Sequence, residues 1–231
     1  MSMVKFLRLY DIIGVRRLGK PKEVSKKMFY LFVKRVFDIV VSLVGLIFLV
    51  PVALIIKIAY LCEKDTHPII YGQTRIGKNE KEFKILKFRS MVWDADEKLE
   101  ELLKKEKYRK QWEEFRKIDD DPRVTKVGKT IRIGSIDETP QFINVFLGQM
   151  SLIGPRPLVP GELKAHKGKK EIYYSVKPGI TGYWATRGRS DVDYDDRLKM
   201  EYFYVENCGL ILDIKILFRT VRAIFKKNGA K

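Results

Sequence analysis

The stretch Ile39–Ile56, "IVVSLVGLIFLVPVALII", runs for 18 residues without a charge. As a helix it would extend about 27 Å at about 1.5 Å per residue, close to the roughly 30 Å of a bilayer's hydrocarbon core. The plain alternative is a buried helix of a soluble domain, which would need a large core around it. The flanks add a second limit. Ten Lys and Arg residues lie between Lys5 and Arg35, and eight more between Lys57 and Arg89. A single crossing would export one of these basic stretches, against the positive-inside tendency. Pro51 suggests another path, because a proline inside a helix removes a backbone bond and crowds the preceding turn. A helix broken there could dip into the bilayer and return to the same face. True spans also tolerate proline, so both topologies stay open, with the basic flanks favouring the re-entrant one.

The chain has 231 residues and a formal net charge of +17, which points to anionic partners: nucleic acid, phosphorylated metabolites or acidic lipid. Its 45% apolar content supports a real core and argues against disorder. Cys62 and Cys208 sit far apart in unlike contexts and read as reduced thiols facing the cytosol. Two isolated histidines, His67 and His166, without any CxxC, argue against a zinc site. Signal-peptide anatomy is not expected, since the apolar run starts late and no small-residue cleavage site follows it.

Between the anchors, residues 69–91 read as two short strands around a Gly77–Asn79 turn, ending in "KFRSM" with Lys87 and Arg89 on one side. Trp93 to Ile118 reads as one long ionic helix with pairs such as Glu100–Lys104 and Glu101–Lys105. "DDDPRVTKVGK" (119–129) is turn chemistry, and a second helix is expected from near Ser135–Glu138 to Gly148. "IGPRPLVPGE" (153–162) and "KPGITGYW" (177–184) read as stiff loops. Helices follow at about 192–206 and 210–227. In the last, Lys215, Arg219, Arg222 and Lys226 share one face, and Leu210, Ile214, Leu217, Val221 and Ile224 another. That pattern suits an interfacial helix on anionic lipid, and equally a helix packed on the domain with a basic solvated side.

"RIGSIDETPQ" (132–141) places Asp137 and Glu138 side by side in this basic chain. The bland account is a capping box, Ser135 bonding the third helical amide and Glu138 reaching back, with Pro140 tolerated early in the helix. The chemical account uses the same geometry. A carboxylate at a helix N-terminus sits in positive backbone potential and stays ionised. Arg132 before it and Arg156 in the Gly-Pro-Arg-Pro loop offer guanidinium forks to a phosphate. A positioned carboxylate can form an acyl-phosphate, and a divalent metal between it and a diphosphate would remove the repulsion of two anions. A cap can also be a site, so the two accounts are compatible.

Several motifs in order then carry a resemblance. They are "KRVFD" (34–38) before the proline-bearing apolar run, "KFRSM" (87–91), "DPRVTKVGK" (121–129), "SIDETPQFINVFLGQMSLIGPRP" (135–157), and "KPGITGYW" with "GRSD" (177–191). From about Lys34 to Lys227 the chain resembles the bacterial sugar transferases, the monotopic phosphoglycosyl transferases (polyprenyl-phosphate hexose-1-phosphate transferases) that begin polyprenol-linked glycan assembly. The resemblance implies a catalytic dyad at Asp137 and Glu138 that also holds Mg²⁺, phosphate-binding Arg156 and Arg132, and a basic cluster at Lys87 and Arg89. Lys34, Arg35 and Pro51 fall on the family's re-entrant membrane anchor. Val50 stands where members often carry serine, Ile136 and Thr139 where leucines usually flank the dyad, and Ala185 where members handling UDP-glucose or UDP-galactose commonly carry glutamine.

The expected fold is α-rich (α+β). A basic extension covers 1–33, and a re-entrant membrane helix broken at Pro51 covers 34–62. A compact cytoplasmic catalytic domain over 63–231 carries a small β-hairpin and amphipathic interfacial helices. The expected activity moves a sugar-1-phosphate from a UDP-sugar, such as UDP-glucose or UDP-galactose, to undecaprenyl phosphate through an aspartyl intermediate, with release of UMP. It would be the first step of surface glycan assembly (exopolysaccharide, capsule or O-antigen), on the cytoplasmic face of the bacterial inner membrane. Partners would be UDP-sugar, undecaprenyl phosphate and membrane lipids, with no nucleic acid; residues 1–30 could rest on lipid or support a homodimer. The rival is a non-enzymatic basic adaptor on acidic lipid or nucleic acid. It accounts for the charge, but not for Arg132, an acidic pair and a proline-fenced Arg156 occurring together.

Overall fold

The computed structural model describes residues 21–115, 118–187 and 192–225. The "GRSD" stretch, Lys226 and residues 1–20 of the basic extension lie outside them. The chain is helix-rich with two small sheets, β1–β2 and β3–β4. In order it forms α1 (Pro21–Cys62), β1 (Ile70–Ile76), β2 (Glu82–Phe88), α2 (Ala95–Leu103), α3 (Glu106–Phe115), α4 (Lys126–Ile133) and α5 (Gln141–Phe146). There follow β3 (Ser151–Ile153), α6 (Glu162–Ala165), α7 (Lys170–Tyr173), β4 (Gly179–Thr181), α8 (Tyr194–Asn207) and α9 (Leu210–Phe225).

The chain divides into two compact units. Among the described residues, the first takes 21–44, 74–85 and those from 142 onward, and the second takes 45–73 and 86–141. Both therefore draw on α1 and on the hairpin.

Helix α1 is 42 residues long, about 63 Å at about 1.5 Å per residue. Among the described residues it is the one helix long and apolar enough to cross a membrane. Phe29, Phe32, Ile47, Phe48, Val50 and Ile55 on it are all exposed. The expected break at Pro51 is not seen, since helix continues on both sides of the proline. The physical reason is that the ring cancels one bond, to the carbonyl of Ile47, and leaves the rest of the ladder to propagate. A proline can thus bend a helix without ending it.

In the first unit, Phe83 and Ile85 of β2 join Val145, Met150, Leu152, Ile153, Tyr204, Val205 and Ile216 in one core. The parallel pair β3–β4 runs through it, with Ser151 opposite Gly179 and Ile153 opposite Thr181. "KPGITGYW" thus contributes a strand as well as a loop. Gly179 allows this approach, because a Cβ there would overlap the Gly154 amide. The start of α1 is tied to the unit by polar groups. Lys34 Nζ and Tyr30 Oη donate to Asp213 Oδ2 at 2.6 and 2.9 Å, and Tyr204 Oη donates to Asp213 Oδ1 at 2.9 Å. Arg35 donates to the Val145 and Phe146 carbonyls, both at 2.8 Å. Asp38 Oδ1 accepts from Ser151 Oγ at 3.0 Å and Leu152 N–H at 2.9 Å.

Helix α9 has two apolar faces. Leu212, Ile216 and Leu217 pack on the core, while Ile211, Ile214, Phe218 and Val221 are exposed beside Lys215, Arg219 and Arg222. The helix is thus packed on the domain with a basic solvated side, and the apolar face expected from the sequence is split: Leu217 turns to the core, whereas Ile214 and Val221 lie outside with the basic residues.

In the second unit, the expected single helix over 93–118 is two helices, divided at Lys104–Lys105. Helix α2 has no buried side chain, so little tertiary packing holds it to its successor. The local ion pairs are Asp94–Lys98 at 3.1 Å and Glu106–Lys110 at 2.8 Å.

Asp213 receives three donors at a buried position. Its replacement by alanine should leave the Lys34 ammonium without its ion-pair partner and cost about 3–5 kcal/mol of stability. Thermal melting of the detergent-solubilised protein measures this; a loss under about 1 kcal/mol would show the contacts to be incidental.

Candidate functional site

The acidic pair lies in the second unit, on a short scaffold built upstream of it. Asp121 and Arg123 form a buried pair, Nη2 to Oδ2 at 2.7 Å, and the Arg123 N–H also donates to Asp121 Oδ1 at 3.0 Å. Burial pushes the Asp121 carboxyl up, but the Arg123 hydrogen bonds and charge outweigh it and hold the carboxyl below its ordinary range. Helix α4 starts just beyond, where Thr125 Oγ1 accepts the Gly128 N–H at 2.8 Å. Gly128 packs flat on the Ser90 backbone, where a Cβ would overlap the carbonyl. In the last turn of α4, Arg132 Nε donates to Ser90 Oγ at 2.9 Å. Its two terminal nitrogens have no hydrogen-bond partner among the described residues, and the side chain is exposed.

Asp137 and Glu138 sit on the next turn, a single 3-10 turn over Ile136–Glu138. The expected capping box is absent. Ser135 adopts a left-handed conformation (φ +53°) and its side chain caps nothing, while Glu138 turns to Lys87. The reason is that α4 ends at Gly134–Ser135, so the left-handed residue there reverses the chain instead of starting a helix. Helix α5 begins only at Gln141, beyond the buried Pro140.

Lys87 of β2 donates from Nζ to Glu138 Oε1 at 2.6 Å, an ion pair open to solvent on both sides. Burial pushes the Asp137 carboxyl above its ordinary value; Lys87 opposes this, Glu138 adds to it and Arg132 opposes it. The backbone potential expected to favour ionisation is not what governs Asp137. Three residues of 3-10 turn align too few peptide dipoles, and desolvation wins. Lys87, Arg132, Asp137 and Glu138 thus form one electrostatic group.

Arg89, their expected companion, is directed elsewhere and is 5% exposed. Its Nε donates to the Pro68 carbonyl at 2.9 Å and Nη1 to the Met91 carbonyl at 3.1 Å. Nη2 lies 2.9 Å from Asp65 Oδ2, and the guanidinium covers the Tyr60 ring at 4.4 Å. These contacts hold the end of β2, and hence Lys87 one residue before.

Arg156 belongs to the first unit. Its backbone is clamped from two sides: the N–H donates to Glu201 Oε1 at 3.1 Å, and the carbonyl accepts from Tyr173 Oη at 2.8 Å. The side chain is exposed, with its guanidinium 5.9 Å over Trp184, a ring that Arg197 also covers at 4.8 Å. Two prolines stiffen the loop, and a buried acid and a buried phenol set its height. Glu201 escaped the sequence reading. The available signal was its place on α8, on the same stripe as Leu198, Tyr204 and Val205, where helical spacing calls for an apolar residue.

Among the described residues no three acidic, His or Cys side chains converge as a metal cage. Asp137 and Glu138 offer a divalent cation two carboxylates, one oxygen of which Lys87 already engages. Two carboxylates suit Mg²⁺, which completes its octahedron with water and substrate phosphate oxygens. The donor set fits that ion.

The family described as bacterial sugar transferase matches residues 29–227. Over 200 residues the chain is 46% identical to an undecaprenyl-phosphate galactose phosphotransferase of Salmonella typhimurium, covering 86% of this chain and 42% of that protein. Its identity to a UDP-galactose-lipid carrier transferase of Erwinia amylovora is 44%, again over 86% of this chain and 42% of the relative. An exopolysaccharide production protein, ExoY, of Sinorhizobium fredii is 40% identical and is matched along 87% of its length. The chain thus spans less than half of the first two relatives.

Burial raises the Glu201 carboxyl to about 7, against the Arg156 N–H and the Arg197 and Arg156 charges that lower it. A carboxyl raised on folding favours the native state at low pH, and that contribution is lost as pH rises through about 7. Glu201→Gln should therefore melt near the wild type at about pH 5 and above it at about pH 8. An equal gap at both pH values in thermal melts would show that Glu201 does not titrate in that window.

Proposed function

The chain belongs to the bacterial sugar transferases, and on that premise we propose that it is the catalytic part of a membrane-bound phosphoglycosyl transferase. It would move a sugar-1-phosphate from a UDP-sugar to undecaprenyl phosphate and so begin a surface glycan. The observation that carries this reading is the half-buried Asp137 beside Glu138, with Lys87 and Arg132 as the cations acting on it. The relatives' names, galactose phosphotransferase and galactose-lipid carrier transferase, favour a UDP-hexose.

In the proposed first step an Asp137 carboxylate oxygen forms a bond to the β-phosphorus of the UDP-sugar. The bond from that phosphorus to the bridging oxygen breaks, and its electron pair leaves with UMP. The enzyme then holds the sugar phosphate as an acyl-phosphate on Asp137. In the second step an oxygen of undecaprenyl phosphate attacks the same phosphorus and frees the carboxylate. Bound Mg²⁺ would supply charge neutralisation at the diphosphate, held by Asp137 and Glu138. Lys87 orients Glu138 and opposes the rise that burial gives the Asp137 pKa, and the free fork of Arg132 faces solvent to receive phosphate oxygens. Arg156 keeps the phosphate-binding role that the family resemblance assigns it.

An anchor at headgroup height suits an acceptor whose phosphate lies there. The exposed apolar stripe of α9, with its row of basic residues, supports an interfacial placement. We assign α1 a re-entrant course on the cytoplasmic side, which requires a bend at Pro51 rather than a break.

Asp137→Asn should lower UMP release from UDP-sugar at least about a thousandfold, with or without lipid acceptor. Brisk release from that variant would remove the nucleophile assignment. Wild-type release should fall as pH drops through the raised Asp137 pKa, and Lys87→Met, which removes a lowering influence, should move that acid limb to higher pH. Topology has its own test: cysteines placed at Ser2 and Lys231 should label from the same membrane side, and labelling from opposite sides would exclude re-entrance.

A further inference from the structure

Among the described side chains around the start of α1, positive charge is in excess. The acids there are Asp213, which pairs with Lys34 and accepts from two tyrosines, and Asp38, whose Oδ1 accepts from the neutral Ser151 hydroxyl and Leu152 amide. The single Asp38 charge then faces Arg35, Lys78 and Lys177. Arg35 reaches two carbonyls at the end of α5, which fix its position and leave its charge uncompensated. Lys177 lies against the same spot. Gly148 follows α5 with φ +79°, and a Cβ there would stand 3.3 Å from Lys177 Nζ and 3.4 Å from Arg35 Nη2.

Lys78 and Lys177 are partly buried, yet neither ammonium makes an ion pair or hydrogen bond with a described residue. Burial lowers the pKa of both; at Lys177 the Arg35 and Lys78 charges add to this against Asp38, and at Lys78 Lys27 adds to it. Uncompensated, half-desolvated cations are unfavourable without an anion between them. Phe146, whose carbonyl Arg35 engages, and Leu147 just after α5 are exposed, as are Phe29, Phe32 and Val36 on the same helix as Arg35. Free phosphate gives no reason for those apolar neighbours, whereas a lipid, with a charged head and an apolar body, matches both halves.

We infer that Arg35, Lys78 and Lys177 form a binding site for the phosphate group of an anionic lipid head, with its acyl chains lying along Phe146, Leu147 and the exposed side of α1. The test does not run through the transfer reaction. The full chain is melted in neutral detergent micelles doped with phosphatidylglycerol, with diacylglycerol, or with inorganic phosphate alone. Phosphatidylglycerol should raise the wild-type melting temperature by about 5 °C over diacylglycerol. The double variant Lys78→Met with Lys177→Met should lose that rise. It should melt no lower than the wild type in diacylglycerol, since two uncompensated charges are gone. The exposed pair Lys104→Met with Lys105→Met, which removes the same net charge, should keep the rise. If the double variant does not fold, Lys177→Gln read in the same way takes its place. No rise in the wild type, or a rise retained in the Lys78/Lys177 variant, overturns the site. An equal rise with inorganic phosphate overturns the lipid as its source.

Discussion

Most apolar side chains of α1 face outward, and Tyr30, Leu49, Ile56 and Tyr60 are the buried hydrophobic ones among its described residues. Polar contacts over five residues, "KRVFD", add the tie to the first unit. Lys34 meets Asp213, Arg35 meets the carbonyls at the end of α5, and Asp38 meets the Ser151 hydroxyl and the Leu152 amide. Each of these is charge-assisted and several are buried, which makes each roughly twice as strong as a neutral hydrogen bond. The same contacts fix α5, β3 and α9 relative to one another within the first unit. An amphipathic seam would have needed apolar area that this helix reserves for its surroundings.

The two candidate phosphate-facing regions use opposite strategies. Around Asp137 the backbone is short and turned, and burial and neighbouring charges set the chemistry of the carboxyl. Around Arg156 the side chain is exposed over the Trp184 ring, and buried groups from α7 and α8 hold its backbone instead. In the first a carboxyl is tuned; in the second a guanidinium is presented. Arg89 shows a third use of a basic residue, as a fastener for the strand that carries Lys87.

Helix α9 shows why a helical pattern can have two sound readings. Its 16 residues carry enough apolar side chains for one stripe on the core and another left outside. The basic residues border the outer stripe. That arrangement suits a surface that is oily at one depth and anionic at the next.

Much of this was legible in residue order. The apolar run, the hairpin around Gly77–Asn79, the two C-terminal helices and the adjacency of Asp137 and Glu138 follow from local periodicity, turn chemistry and chain neighbourhood. Such features need no knowledge of what lies across the fold. Other outcomes depended on groups brought together from far along the chain. Ser135 looked like a cap until the end of α4 turned it left-handed, and Lys87, 51 residues away, claimed Glu138. Arg89 looked like a ligand until Asp65, Pro68 and Tyr60 enclosed it. Glu201 gave no sign of its hold on Arg156, 45 residues before it. Periodicity reports which face of an element is apolar, whereas the partner and protonation of a polar group depend on desolvation and on charges whose distance is unrelated to separation in sequence.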